Sequence, residues 1–369
     1  MIYLDNGATS FHKPPQVIRA MVHAIQTCAN PGRGGYEASL EATKTVLKCR
    51  ERAAKMFDCQ PEQVVFTSNC THGLNIAIAT LVKPGDRVVI SGFEHNAVVR
   101  PLYALGADVV IAGRKVFDPA DTLESFENAL KQGAKAAIFT HVSNVFGYIL
   151  PVEELSKLCV RYSVPFVIDA AQSAGSLPVS LQNTGAAFVA MPGHKGLLGP
   201  QGTGMLLCGR TPNPLLFGGT GSVSRSMTMP DFLPDRAEAG TLNVSGIAGL
   251  EAGMAWLQKN GMDKIFQKEK HEALQFGRYL QNKGYQVFLG KAQAGTVSFV
   301  PKGDCEAFAD ALSRGNIAVR AGLHCAPLAH ESAGTLQTGT VRVSFGHDAC
   351  PEQRKMLIKT MERMQNFCE

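Results

Sequence analysis

The chain has 369 residues, of which 45% are hydrophobic and 18% are charged, and its formal net charge is +5. This length and apolar content allow a large buried core and suggest two domains. The basic residues are scattered, and no apolar run approaches the roughly 18 to 20 residues of a membrane span, which argues against nucleic acid or a membrane as a partner. The N-terminal residues lack a basic-then-apolar leader, so we expect a cytoplasmic protein.

The first part of the chain alternates between short apolar runs and helical patterns. After an extended N-terminal arm at residues 1–15, the predicted helices cover 17–28, 36–56, 123–131 and 152–162, with others starting near 71 and 96. The predicted strands cover 63–67, 87–91, 108–112, 136–140, 164–169 and 185–190. Near-continuous apolar strands separated by helices indicate a mainly parallel sheet covered on both faces. Ligands bind such sheets beyond the carboxyl ends of the strands, and His95, Asn144, Asp169 and Lys195 fall there.

The pattern changes after residue 244 and predicts a smaller α+β domain. Its predicted helices cover 246–259, 264–283 and 306–313, with a last helix from 351, and its predicted strands cover 285–289, 295–300, 317–320 and 340–344. We therefore divide the chain into the arm, a large domain at 16–245 and a small domain at 246–369.

The chain has 10 cysteines, which are dispersed and form no CxxC pair. This argues against a zinc site and against a disulfide scaffold, so we expect no metal and mostly reduced thiols. Most of these cysteines are expected to be small apolar core residues.

The stretch MPGHKGLLGPQGTG places Lys195 in a glycine-rich turn directly after a buried strand. Such a lysine is either a solvated loop residue or an amine whose pKa is lowered by burial, which frees its lone pair for a Schiff base. Upstream, an apolar strand ends in Asp169. An acid there suits pyridoxal 5'-phosphate (PLP), because it keeps the pyridine nitrogen protonated and the ring an electron sink.

VIDAAQSAG followed by GHKGLLGPQGTG resembles the class V branch of the fold-type I PLP-dependent enzymes, and more narrowly the cysteine desulfurases and selenocysteine lyases. The resemblance extends from Tyr3-Leu-Asp-Asn-Gly-Ala8 to the last helix. It implies an α/β fold in which a large PLP-binding domain with a mainly parallel, seven-stranded sheet precedes the smaller α+β domain. It also implies a homodimer.

The resemblance assigns one set of residues to the cofactor. They are Cys70 (through its amide), Thr71 and His194 on the phosphate, His95 stacked on the ring, Asn144 on the ring hydroxyl or the substrate carboxylate, Asp169 on the ring nitrogen, Gln172 on the phenolic oxygen, Lys195 in the Schiff base, and Thr241 on the neighbouring subunit's phosphate. A helix start suits a phosphate, although it is otherwise an ordinary cap. Two positions depart from the family: Cys70 replaces a hydroxyl residue, and Pro192 stands where a serine is usual and cannot donate.

Arg342 lies inside an apolar strand. A buried arginine needs an anionic partner, which is either an internal acid or a bound ligand. The resemblance makes Arg342 the clamp for the substrate α-carboxylate, a bidentate task, with Arg320 in a supporting position.

Cys325 lies in the pattern R-x-G-x-H-C-A. This pattern resembles the second group of cysteine desulfurases, which includes the selenocysteine lyases and carries its catalytic cysteine on a short, ordered loop. Arg320 and His324 are a setting that favours a thiolate. The following residues, 327–335, depart from the best-known members.

The expected activity is removal of sulfur from L-cysteine, which yields L-alanine and a persulfide on Cys325. Lys195 takes the α-proton, and His95 moves a proton to or from the substrate thiol. The alternatives are a selenocysteine lyase, a cystine lyase or class V aminotransferase, and a degenerate PLP fold that serves as a sulfur-transfer scaffold. Cysteine and selenocysteine present the same groups, so the sequence does not choose between them, and it does not name the sulfur- or selenium-acceptor protein.

Overall fold

The computed structural model describes residues 1–32 and 34–365. In chain order, the strands are β1 (Ile2–Tyr3), β2 (Val64–Thr67), β3 (Arg87–Ser91), β4 (Asp108–Ala112), β5 (Ala136–Thr140), β6 (Phe166–Asp169), β7 (Phe188–Pro192), β8 (Gly204–Cys208), β9 (Gln286–Phe288), β10 (Thr296–Val300), β11 (Ile317–Ala318), β12 (Arg320–Gly322) and β13 (Thr340–Ser344). The helices are α1 (Pro15–Thr27), α2 (Glu37–Phe57), α3 (Cys70–Leu81), α4 (Asn96–Ala104), α5 (Pro119–Lys131), α6 (Val152–Arg161), α7 (Leu181–Thr184), α8 (Val244–Asn260), α9 (Met262–Asn282), α10 (Cys305–Arg314), α11 (Pro327–Ala333) and α12 (Pro351–Gln365).

The large sheet has seven strands in the order β2-β8-β7-β6-β5-β3-β4. Strands β3 to β7 run parallel, and β8 is antiparallel to both of its neighbours. Strands β5 to β8 are buried along their whole length, which is why their sequences are unbroken apolar runs. The expected mainly parallel α/β fold is confirmed. The sequence pattern does not predict β8, because an apolar run of five residues has no periodicity that identifies it.

A second, antiparallel sheet lies near the C-terminus, with the strand order β12-β13-β10-β9. Phe276 of α9, Phe299 of β10 and Leu357 of α12 share its core. The N-terminal residues also join this part of the molecule, since β1 pairs with β11 and Leu4 is buried in the same core. The first residues of the chain therefore pack against its C-terminal part, and the division into an arm and two domains stays a prediction.

The boundary between residues 245 and 246 stays a prediction. Helix α8 spans it, and the apolar residues Leu250, Met254 and Leu257 lie in the same core as Val189 and Met191 of the large sheet. This helix packs with the large domain, because its apolar residues find their neighbours there.

The carboxyl ends of β5, β6 and β7 lie side by side, because Thr140 pairs with Asp169, and Asp169 pairs with Ala190. The loops that follow these strands therefore meet at one edge of the sheet. Within residues 1–32 and 34–365, no helix combines the length and the apolar content that a bilayer span requires.

Candidate active site

A pocket of about 220 Å³ opens at this edge of the sheet. It brings together eight of the residues assigned to the cofactor, which are Cys70, Thr71, His95, Asn144, Asp169, Gln172, His194 and Lys195. Pro192, the last residue of β7, also lines it. Residues that are more than 100 positions apart in the sequence thus meet at the edge where a parallel sheet binds its ligands.

Lys195 follows β7 in a turn that glycines make possible. A Cβ on Gly193 would lie 2.2 Å from the Thr203 hydroxyl oxygen, and one on Gly196 would lie 2.4 Å from the Ala174 carbonyl oxygen. Burial lowers the pKa of the Lys195 amine, the Arg342 charge lowers it further, and Asp169 partly opposes both. A lowered pKa increases the fraction of free amine, which is the form that reacts with an aldehyde or takes a proton.

Asp169 ends β6 and is 2% exposed. Its Oδ1 accepts hydrogen bonds from the Ala171 amide at 2.8 Å and from the Cys70 thiol at 3.4 Å. Two donors on one oxygen orient the carboxylate and leave Oδ2 available to a ligand. Cys70, which departs from the family pattern, thus has a contact that the sequence did not reveal.

The start of α3 supplies free donors to the same pocket. Asn69 caps the helix by accepting a hydrogen bond from the His72 amide at 2.9 Å. The amides of Cys70 and Thr71 have no partner in the described part of the chain. Such amides at a helix N-terminus suit a phosphate.

The N-terminal arm covers the other side of the Lys195 turn. The Lys13 ammonium donates to the His194 carbonyl oxygen at 2.9 Å, and the Ser10 hydroxyl donates to the Lys195 carbonyl oxygen at 3.1 Å. Burial lowers the pKa of His194 to about 4, and the charges of Lys195 and Lys13 add to this effect. His194 is therefore neutral near pH 7, and its Nδ1 lies 3.0 Å from the Thr9 hydroxyl.

His95 caps α4, and its Nδ1 accepts a hydrogen bond from the Ala97 amide at 3.0 Å. The proton of the neutral ring is therefore on Nε2. Burial lowers the pKa of His95, while Asp169 opposes this effect. The neutral ring can therefore donate a hydrogen bond from Nε2 to a ligand.

Arg342 is 2% exposed and lies in the middle of β13. It donates to Asp5 Oδ1 at 2.7 Å and to the Asn144 carbonyl oxygen at 3.0 Å, and its Nε is buried without a partner among the described residues. Asp5 Oδ2 accepts from Arg320 Nε at 2.9 Å. The internal acid that a buried arginine requires is therefore Asp5, which sequence reasoning missed. The only signal was an acid in the short LDNG segment.

Cys325 is exposed, and both His324 (φ 53°) and Cys325 (φ 56°) have left-handed backbones. Such conformations cost on the order of 1–3 kcal/mol each and persist only where neighbours hold them. The Asn96 amide donates to the Cys325 carbonyl oxygen at 2.8 Å, and the Asn144 side-chain amide donates to that of His324 at 2.8 Å. The loop is therefore attached to the rim of the pocket beside His95.

His324, directly before Cys325, is buried. Its Nδ1 lies 2.7 Å from the Gly322 carbonyl oxygen and donates to it. Burial, followed by the Arg342 charge, holds the pKa of His324 well below its usual value. The ring is therefore neutral near pH 7 and places no positive charge beside Cys325.

Thr241 is exposed and does not line the pocket of its own chain. Its contact with the phosphate of a neighbouring subunit stays a prediction. Gln172 donates to the Gly7 carbonyl oxygen at 2.9 Å, so its side chain links the pocket to the N-terminal segment.

The residues fit PLP. One pocket contains an amine with a lowered pKa, a carboxylate with a free oxygen, an imidazole, and two unpartnered amides at a helix start. These groups correspond to the aldehyde, the ring nitrogen, the ring face and the phosphate of that cofactor.

Comparison with known proteins agrees with this fit. Residues 2–357 match the family described as aminotransferase class-V. The chain is 30% identical to a probable cysteine desulfurase of Methanothermobacter thermautotrophicus, over 98% of this chain and 94% of that protein. It is 34% identical to a probable cysteine desulfurase of Pyrococcus abyssi, over 94% of this chain and 89% of that protein.

Among solved structures, the apo cysteine desulfurase of Thermococcus onnurineus superposes with a TM-score of 0.91 and 33% identity, over 98% of this chain and 94% of that one. An Escherichia coli cysteine desulfurase shares the fold at a TM-score of 0.84 and 24% identity, over 99% and 95% of the two chains. A family match over nearly the whole length, together with a pocket suited to the cofactor, shows that this chain belongs to the class V aminotransferase family of PLP-dependent enzymes.

Proposed function

We propose that the protein is a PLP-dependent cysteine desulfurase, which converts L-cysteine to L-alanine and leaves the sulfur as a persulfide on Cys325. One observation carries the proposal. The Asn96 amide holds the Cys325 carbonyl oxygen at 2.8 Å, and Asn96 directly follows His95 in the wall of the Lys195 pocket. An exposed thiol on a constrained loop thus adjoins a PLP pocket. The cysteine desulfurases among the similar proteins support the same substrate.

Lys195, Arg342 and Cys325 have distinct roles in this reaction. PLP, when bound, supplies the electron sink that makes the α-proton of the amino acid acidic. The lowered pKa of Lys195 suits it to take that proton, and Arg342 suits the substrate carboxylate because Nε and part of its donor capacity remain free. The Cys325 thiolate attacks the substrate sulfur, so a sulfur–sulfur bond forms while the carbon–sulfur bond breaks and its electrons stay with the carbon.

We further propose a homodimer. Helix α1 exposes Ile18, Val22 and Ile25 on one face, at 58%, 48% and 70% exposure, and Leu40 and Leu47 of α2 are also exposed. Apolar side chains at this spacing form a continuous stripe, which is typical of a surface that binds another chain. A second copy would cover it, and sedimentation analysis of the holoenzyme tests this expectation.

A cytoplasmic location is part of the proposal, because each of the nine cysteines in the described ranges has a free thiol. The physiological acceptor is proposed to be a protein thiol that reaches the exposed Cys325. L-selenocysteine is a second substrate to test, since Arg342 and Lys195 would recognise the same carboxylate and amine.

Product analysis with both amino acids tests the activity, using two variants. Lys195→Ala should lower alanine formation from either substrate by about 10²- to 10⁴-fold, the usual effect of removing a general base. Cys325→Ser should abolish sulfur release from L-cysteine while leaving the visible absorbance of bound PLP unchanged. Cys350→Ser, a change at a partly exposed thiol outside the pocket, is the matched control.

Each alternative reaction has its own outcome. Full sulfur release by Cys325→Ser would refute the persulfide step and favour a cystine lyase. Conversion of a keto acid to an amino acid would identify an aminotransferase. Loss of cysteine turnover with retained selenocysteine turnover in Cys325→Ser would favour a selenocysteine lyase, and absence of bound PLP would leave only the scaffold role.

A further inference from the structure

A second cavity, of about 60 Å³, lies on the other side of Lys195 from the cofactor pocket. Lys195, Gln172 and Val142 line both spaces and separate them. The second cavity lies between the two domains, since its walls include residues of the Lys195 turn together with Glu269 of α9 and residues after β13. It has no role in the chemistry described above.

The cavity is lined by apolar and polar residues and is large enough for water. The polar residues of its lining include Ser10, Thr296, Glu269 and His347. One buried water needs about 10–15 Å³ of this kind of volume and two to four polar partners, so the cavity has room for roughly four molecules. An apolar cavity of this size would remain dry, but these groups supply the hydrogen bonds that water requires.

Glu269 and His347 are suited to pass protons at the cavity mouth. Both are partly exposed, and the Glu269 side chain forms no hydrogen bond within residues 1–32 and 34–365. Burial raises the pKa of Glu269 to about 8, and the nearby charge of Asp348 adds to this effect. His347 has a buried Nδ1 that finds no partner in residues 1–32 and 34–365, and its ring contacts Trp256 edge-on at 5.3 Å. Asp348 is itself held by His12 at 2.8 Å.

We infer that this cavity is the route by which the Lys195 amine exchanges protons with solvent, and that Glu269 is the positioning residue that relays them. The inference rests on the proposed function, in which Lys195 takes the α-proton of the substrate. After that step, one proton of the Lys195 ammonium passes to a cavity water, and a proton of that water passes to Glu269. Glu269 releases its own proton to solvent at the cavity mouth. The same transfers in reverse return a proton to the Lys195 amine. Net charge and oxidation state are unchanged.

The experiment uses the holoenzyme and L-cysteine deuterated at Cα, in ordinary water. The fraction of deuterium found at Cα of the alanine product measures whether Lys195 returns the abstracted hydron before it exchanges with solvent. The intact enzyme should retain little deuterium. Glu269→Gln keeps the shape but cannot relay a proton, so it should raise retention severalfold, with a smaller change in the rate of alanine formation.

Two further variants make the result specific. His347→Phe keeps a ring against Trp256 while removing the polar atoms, and it should also raise retention. Glu331→Gln, a change at an exposed acid paired with Arg114 outside the cavity, should leave retention unchanged. Retention equal to that of the intact enzyme in both cavity variants would overturn the inference. Absence of alanine from the intact enzyme would instead refute the proposed function.

Discussion

Glu94 is a completely buried acid directly before His95, and we predict how its replacement by glutamine changes stability with pH. Its Oε1 accepts hydrogen bonds from the Ser91 hydroxyl and, at 2.8 Å, from the Thr140 amide. Its Oε2 is buried and has no partner within the part of the chain that the structure describes. Burial raises the pKa of Glu94 from 4.5 to about 8, and the Asp169 charge adds to this effect.

The raised pKa makes Glu94 a source of pH-dependent instability. Below pH 4.5 the carboxyl is protonated in the folded and the unfolded protein, so it has no effect. Between pH 4.5 and about 8 the unfolded chain loses a proton that the folded chain keeps, so stability falls as the pH rises. At about 1.36 kcal/mol per pH unit, the 2.5 units between 4.5 and 7 correspond to a loss of about 3 kcal/mol at pH 7.

Glutamine keeps an oxygen for the two donors and does not ionise. Glu94→Gln should therefore be more stable than the intact protein by up to about 3 kcal/mol at pH 7, and the gain should vanish below about pH 4.5. Its amide leaves one buried polar atom unpaired, as the carboxyl already does, so this cost of about 1–3 kcal/mol largely cancels.

Urea unfolding midpoints, measured for both proteins between about pH 5 and pH 8, give the difference directly where the denaturant slopes agree. Glu124→Gln, at an exposed position of α5, is the control and should show no trend with pH. A Glu94→Gln difference that does not change with pH, or a variant less stable across the whole range, would refute the reasoning.

Three other replacements test contacts around the pocket. Asp5→Asn removes the anionic partner of Arg342, and because breaking a buried pair costs about 3–5 kcal/mol we expect lower stability in urea and a raised KM for L-cysteine. Asn144→Ala removes the hydrogen bond to the His324 carbonyl oxygen, worth about 1 kcal/mol, so Cys325 should react with iodoacetamide about fivefold faster. An unchanged rate would argue that other contacts hold the loop of His324 and Cys325. Cys70→Ala removes a donor to the carboxylate of β6, so PLP should leave the holoenzyme about twofold faster during dialysis, as followed by absorbance, and a slower loss would contradict this role.

Much of the fold could be predicted from local patterns. The strands that end at Thr140 and Asp169 are unbroken apolar runs, and their burial on both faces is what such runs indicate. Helix α9, predicted over 264–283, spans Met262–Asn282 because its apolar residues recur at helical spacing. The sequence pattern does not predict helix α11, because its seven residues are too few to show a period. The pairing of β1 with β11 joins segments that are far apart in the sequence, and no local pattern predicts it.

The chemistry of the pocket could be predicted in part. Lys195 and Asp169 each follow or end a buried strand, and these two positions indicate PLP from residue type and spacing. The sequence did not show that the His324 ring is buried and donates to a carbonyl oxygen. Proximity in sequence to Cys325 gave no information about that burial.

The sequence by itself determined which chemical groups are present and which strands can be buried, because residue type and short-range periodicity are local properties. Only the tertiary structure decided that Asp5 pairs with Arg342, 337 residues away, and that Glu94 and Glu269 have raised pKa values. Pairing and burial depend on which distant segments meet, and the pKa of a group follows from the solvent and charge that those segments leave around it.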